Sequence, residues 1–479
     1  MGSIRKNFCY NLLLTACNYI FPLIVFPYIT RVLGLSNIGI CDYVDSIIQY
    51  FILFSMLGVG SLGVREIARC KDDMERRTTV FSTLVTVNFV LTLISIVVLV
   101  LCTSFLEKFY PYRPYLMVGI SKLLFQVFVV DWFYQGLQEF RYITIRSIAI
   151  RFIYVISIFL FVHSESDTLK YYVLTCMITL FNAICNWSYS YRFSKFRFSK
   201  IRIKLFLTPI LVFGYYRILT SLYTTFNTFF LGYVQGDAEV GCFSTAAKIN
   251  TLIMAVFTAL TTVLVPKVAQ LIEEKDEARL REIAEKTFSL IYIASVPVIA
   301  YGVIFAPEII RIIAGAGFEG AVTPFRIVIF LILVIGLEQI VIQQFLMASV
   351  DTRSIALVST VGAIVGLSLN FILTPRLASV GSSIAWGSSE LAVLFSGSIM
   401  LYRKMGICIS FRELFVSILL GSLYVITLIL VKTICEYSML SLILGGGVTC
   451  ALFLFINLVL HKNELLIQSL GSIREKLVK

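Results

Sequence analysis

The chain is predicted to be an all-α integral membrane protein with fourteen transmembrane helices. Three observations carry that expectation: apolar stretches fill the 479 residues from end to end, hydrophobic side chains make up 58% of them, and Lys and Arg are dense and sparse in alternate connections. A hydrocarbon core of about 30 Å needs about 20 apolar residues at helical rise. The expected spans are 8–30, 41–64, 78–103, 115–136, 142–162, 169–190, 206–231, 240–266, 287–306, 324–348, 354–374, 379–401, 413–431 and 438–460. Spanning strands would be about ten residues of alternating character, so a barrel does not fit these continuous runs.

Most of the 40 Lys and Arg fall in the loops on one side, which makes that side, and both termini, cytoplasmic. The net charge of +12 thus reflects topology and does not call for nucleic acid. Six basic residues from Arg192 to Lys204 alternate with Phe193, Phe196, Phe198, Ile201 and Ile203, a pattern for a linker at an anionic lipid surface. The 11 Cys are scattered with no CxxC pair, indicating neither a disulfide framework nor a metal site. Leu14 to Cys17 has the look of a lipoprotein processing box, but the apolar run continues to Ile29, as expected of a first span.

Self-comparison suggests two related halves. Leu33-Gly34 and then Gly39 recur as Leu231-Gly232 and then Gly241. Val64 to Ala68 matches Val265 to Ala269, and Phe133 to Gly136 matches Phe345 to Ala348. Two lobes of six helices follow, pseudo-symmetric about a central cavity, over residues 1–191 and 206–402. A basic cytoplasmic linker at 192–205 joins them, and 403–479 adds two further helices and a cytoplasmic tail.

Charges within spans are the default functional candidates, because each needs water or a partner. Arg217, Lys248, Arg151 and Lys122 lie deep along their helices. Asp131 and Arg146 flank one turn and read as a structural pair. Span 1 repeats Asn7, Asn11, Thr15 and Asn18 on one face, and span 7 repeats Arg217, Thr220, Thr224 and Asn227. These stripes favour a wet cavity over helix stitching, which remains the alternative. Asp42 and Asp45 on span 2 suit either a gate closed against basic span 8 or a cation site. Glu338 and Glu390, without a basic residue at their depth, are candidates to carry sodium or a proton. No other cofactor is expected.

Phe21 to Gly34, with Pro22, Pro27, Arg31 and then Gly39, resembles the opening of bacterial polysaccharide-biosynthesis flippases. Asp131-Trp132-Phe133-Tyr134-Gln135-Gly136 through Tyr142, followed by Arg146 and Arg151, is similar to their second hallmark. That family, a branch of the multidrug/oligosaccharidyl-lipid/polysaccharide exporter superfamily, moves undecaprenyl-pyrophosphate-linked oligosaccharides for O-antigen and capsule. The resemblance implies a non-enzymatic carrier of the bacterial inner membrane, working beside a polymerase and chain-length machinery. It also implies that Arg217, Lys248, Arg151 and Lys122 hold the pyrophosphate, while Asn11, Asn18, Thr224 and Asn227 meet sugar. The alternatives are a peptidoglycan-precursor flippase and a cation-coupled drug antiporter. An enzyme acting on the same lipid is disfavoured, since the longest external connection, near 307–323, is short and no catalytic motif accompanies His163 or His461.

Overall fold

The computed structural model describes residues 2–70, 73–349, 352–435 and 438–456, which are helical almost throughout and contain no strand. In order, the helices are α1 (Gly2–Met56), α2 (Val59–Cys70), α3 (Met74–Phe105), α4 (Arg113–Gln126), α5 (Asp131–Gly136), α6 (Phe140–Phe161), α7 (Thr168–Ser190) and α8 (Ile203–Ser221). They continue with α9 (Thr225–Gln235), α10 (Asp237–Glu274), α11 (Glu277–Ile304), α12 (Ala306–Ile313), α13 (Val322–Val328) and α14 (Leu331–Glu338). A π-helical stretch, Gln339–Leu346, precedes α15 (Thr352–Met405), α16 (Phe411–Ile434) and α17 (Ser438–Phe455).

Eleven helices among the described residues are long and apolar enough to cross a membrane. Two of them each cover a pair of expected spans and are broken by one non-helical residue: Gly34 (φ 78°, ψ 172°) in α1 and Ala378 (φ 50°, ψ −129°) in α15. The chain is therefore a multi-pass membrane protein. The last expected span falls on the shorter α17 and runs beyond the described residues, as does His461. Span 2 ends earlier than expected, because the chain turns at Leu57 and Gly58 and its charged exit becomes the amphipathic α2. Its sequence counterpart in α10 passes unbroken through Pro266, so the two matched exits differ in structure.

Packing groups the chain into two compact units. The first comprises Met1–Lys248, Ile313–Ala321 and Ala356–Ser389, the second Ile249–Ile312, Val322–Ile355 and Glu390–Lys479. Unit 1 is organised by the repeated glycines. A Cβ on Gly39 would fall 1.8 Å from the Asp237 carbonyl oxygen, and one on Gly241 would fall 2.4 Å from that of Leu35. The second half of α1 and the start of α10 therefore cross in backbone contact, which only a residue without a side chain permits. The turn before α10 is made by Gly236 (φ 90°, ψ −173°), not by Gly232. Gly236 shares the backbone region of Gly34, and Gly232 instead packs against the ring of Tyr43.

Asp131 opens α5, and Trp132, Phe133 and Tyr134 enter a core with Phe81 and Val80 of α3, with Phe193 and Phe196 packed against it. The basic linker docks on the same end: the Arg197 and Arg202 amides donate to Ser82 Oγ and Thr83 Oγ1, both at 2.9 Å, and Lys200 pairs with Glu75. That hydrogen bond and charge hold the Glu75 carboxyl below the usual carboxylate range. The linker is thus held by protein as well as facing outward, with Phe198 80% exposed.

In unit 2, α16 packs on α11, and Lys432 of α16 pairs with Glu308 of α12 at 2.7 Å. Tyr424 and Leu428 are buried there with Ala300 and Phe305.

A residue with a Cβ at positive φ is strained by about 1–2 kcal/mol. Gly34→Ala should lower the melting temperature in detergent, and Ala378→Gly should raise it, with both shifts read by thermal scanning.

Candidate functional site

The buried charges of unit 1 are mostly paired. Lys248 Nζ lies 2.7 Å from both carboxylate oxygens of Asp42, and Ser244 Oγ donates to Oδ2 of the same group. The glycine crossing sets this geometry, since Asp42 follows Gly39 by one turn of α1 and Ser244 and Lys248 follow Gly241 by one and two turns of α10. Lys122 of α4 pairs with Asp45, one turn deeper. Arg146 of α6 donates to Asp131 at 2.8 Å and to the Asn186 side chain, and Asn186 Nδ2 donates to Asp131 at 2.8 Å. Asp131 and Arg146 thus form the structural pair expected from their spacing. Both span-2 carboxylates are occupied by ammonium groups. Asp42 thus pairs with basic span 8.

Two of the expected cations have no carboxylate partner among the described residues. Arg151 of α6 is half-buried beside Cys17 of α1. Arg217 of α8 lines a cavity of about 350 Å³ with Gln49, Ser61, Thr220, Ser221 and Thr224. The polar character of that wall has a local cause. Span 7 is interrupted at residues 222–224, between α8 and α9, where Ser221 Oγ and Thr224 Oγ1 turn back on the carbonyls of Ile218 and Thr220. Side chains that compete for backbone groups weaken a helix, and broken membrane helices recur where transporters hold polar substrates. The interruption was not expected from the continuously apolar span 206–231, although the cluster Thr220, Ser221, Thr224 and Thr225 carried its signal.

The polar stripes divide. Thr224 lines the cavity. Asn227 is fully buried and is committed elsewhere: its Nδ2 donates to the Tyr223 carbonyl at 2.9 Å, and its Oδ1 accepts from Asn370 Nδ2 at 2.6 Å. It stitches α9 to α15, the alternative weighed for such residues. Asn18 is exposed. The Asn11 side chain lies outside the described residues.

In unit 2, Glu390 is 5% exposed and its carboxyl hydrogen-bonds that of Glu338. Glu338 Oε2 is buried with no hydrogen-bond partner among the described residues. Glu338 also ends α14 where the π-helical stretch begins, a local departure that often marks a functional position. Gln339, the next residue, is bound to Thr258 and Thr261 at 2.9 and 3.1 Å. No cluster of three or more metal-ligating side chains occurs among the described residues.

Replacing Lys248 with Ala leaves Asp42 with an uncompensated charge. A cost of about 2 kcal/mol is expected, below that of a fully buried pair because the Lys248 side chain is 40% exposed. The charge-neutral double variant Asp42→Asn/Lys248→Ala should recover most of the loss, measured as the melting temperature of each purified variant.

Comparison with known proteins follows this geometry. Residues 4–272 match the family model described as polysaccharide biosynthesis protein, and residues 215–372 match the MatE model. The chain is similar to the "Putative O-antigen transporter" of Escherichia coli (strain K12), 22% identical over 82% of this chain and 95% of that one. It is likewise similar to the protein of that name from Shigella dysenteriae, 23% identical over 82% and 98%. Among solved structures, the lipid II flippase MurJ in an inward closed conformation superposes with a TM-score of 0.80 at 10% identity, covering 96% of this chain and 99% of MurJ. An inward-facing multidrug resistance MATE transporter superposes at 0.60 and 14% identity, over 84% and 94%.

Proposed function

The chain belongs to the polysaccharide biosynthesis protein family, and from that premise we propose that it is a flippase for undecaprenyl-pyrophosphate-linked oligosaccharide. It carries the repeat unit from the cytoplasmic to the outer face of the bacterial inner membrane by alternating access. Fourteen crossings leave both termini in the cytoplasm, and the lobes 1–191 and 206–402 rock about the substrate. A polymerase and chain-length machinery consume the product. The similarity to relatives named as O-antigen transporters supports this reading.

The observation that carries it is the uncompensated guanidinium of Arg217 in a hydroxyl-lined cavity at a helix break. A pyrophosphate bears negative charge that a guanidinium meets with directional, charge-assisted hydrogen bonds. Thr220, Ser221, Thr224 and Gln49 offer the mixed donors and acceptors that sugar hydroxyls need. Arg151 is a second cation with no carboxylate partner among the described residues. Lys248 and Lys122 join the substrate only by leaving Asp42 and Asp45, which makes these pairs gates that the incoming anion can open. A cation-selective drug antiporter would invert this arrangement, placing free carboxylates where unit 1 keeps free guanidinium groups.

A peptidoglycan-precursor flippase is the second reading, favoured by the close superposition on the lipid II flippase. Its substrate shares the pyrophosphate and differs in the head group, so the same cations serve either. Energy enters, in this proposal, through the Glu338 and Glu390 pair as a proton carrier. Sodium is the alternative coupling ion for the same pair.

Arg217→Ala should cut export about 10–100-fold, the loss of one charged hydrogen-bond partner, with Arg217→Lys intermediate and membrane insertion unchanged. The readout is lipid-linked glycan retained on the cytoplasmic face, assayed with an impermeant sugar-modifying probe. Wild-type export by the Ala variant would remove the cationic cavity from the mechanism. Glu338→Gln and Glu390→Gln should each abolish the acceleration of glycolipid transfer by an imposed pH gradient in proteoliposomes. A response to a sodium gradient instead would reassign the ion.

A further inference from the structure

A second cavity, of about 620 Å³, lies wholly within unit 1 and away from Arg217. Its volume falls in the range of about 300–1,000 Å³ that small-molecule sites occupy. It is a trough between two helices. Ile145, Ala149 and Ile153 line it from α6, and Phe181, Cys185 and Tyr189 line it from α7. Both triplets step by four residues, so each forms a stripe along one helix face, and the stripes confront each other over about 12 Å at 1.5 Å per residue. Ile145, Ile153 and Phe181 are 54%, 55% and 44% exposed. In a membrane-spanning pair of helices, such exposure places the trough against hydrocarbon.

One end of the trough is built differently. Tyr142 and Tyr189 stack with ring centroids 3.8 Å apart and 12° between planes. The Arg192 guanidinium lies 5.0 Å from the Tyr189 ring and that of Arg146 lies 5.6 Å from the Tyr142 ring. Arg146 is 7% exposed and lines the trough, and its buried Nε has no hydrogen-bond partner among the described residues. Arg141 and Glu139 also line this end. Arg141 and Arg192 are exposed and sit where the basic linker begins. The end of the trough is thus a cationic, aromatic platform on the side of the membrane that carries the positive loops, joined to an apolar channel.

We propose that the trough is a binding site for one acyl chain of an anionic phospholipid, with the phosphate seated over Arg141 and Arg192. Basic pockets between membrane helices on the cytoplasmic side take acidic head groups. Stacked tyrosines fit the boundary between chain and head group, where amphipathic rings concentrate. The trough is eight residues long, which suits part of an acyl chain and not a very long polyprenyl tail. Arg146 is held by Asp131 and Asn186 and acts as the positioning residue that fixes Tyr142. The site goes beyond the glycolipid reading and stands without it.

The test is native mass spectrometry of the full chain released from nanodiscs containing equal amounts of dioleoyl phosphatidylglycerol and dioleoyl phosphatidylcholine. One phosphatidylglycerol should be retained per chain with a preference of about 30-fold, as expected of two basic side chains near a lipid phosphate. Arg141→Ala/Arg192→Ala, at exposed positions that the fold does not need, should erase the preference. Ala149→Trp should fill the trough and remove the retained lipid. Equal retention of both lipids, or an adduct unchanged in these variants, would overturn the site. Undecaprenyl phosphate added at equal concentration should fail to displace the phosphatidylglycerol. Displacement by it would overturn the phospholipid assignment in favour of a polyprenyl occupant.

Discussion

An unpaired charge at the centre of a bilayer costs about 3 kcal/mol or more, and that penalty organises unit 1. Asp42, Asp45 and Asp131 each meet a cation; the first two pairs tie together helices distant in sequence, and the third closes the turn between α5 and α6. The pairs depend on close approach of backbones, which Gly39 and Gly241 provide for Asp42 and Lys248. Once these three pairs are closed, Arg217 and Arg151 are the candidate cations of unit 1 without a carboxylate partner among the described residues. The functional reading therefore rests on what remains after neutralisation, and not on the number of charges in the spans.

The same constraint has a different solution in unit 2. Glu338 and Glu390 lie side by side. In the proposed cycle, such a pair takes up a proton when buried and releases it on meeting water. Its position at the start of a π-helical stretch gives a local backbone irregularity through which such a change can be accommodated. In the proposed mechanism, unit 1 supplies positive charge for an anion and unit 2 an acid pair for the coupling ion.

Helix breaks fall where function is proposed. Gly34, Gly236 and Ala378 make turns between apolar segments. The interruption at 222–224 does something else, since it opens a polar wall within what would otherwise be one helix. Freed backbone groups in a membrane need water, side chains or a ligand, and the cavity beside Arg217 can supply the first and the last.

Hydropathy was enough to determine that this is a multi-pass helical membrane protein, and spacing across one turn was enough to pair Asp131 with Arg146, because both properties are local in the chain. The glycine repeat was also legible, and it marked the crossing that the two halves of the motif make with each other. What needed the tertiary structure was the sorting of charges. Lys248 and Arg217 look alike in sequence, as do Asn227 and Thr224. Only packing decides that Lys248 is neutralised, that Asn227 is spent on Asn370, and that Arg217 and Thr224 face an open cavity. The pairing of Glu338 with Glu390 was beyond sequence for the same reason: a partner more than fifty residues away is set by how helices pack, and hydropathy carries no record of that.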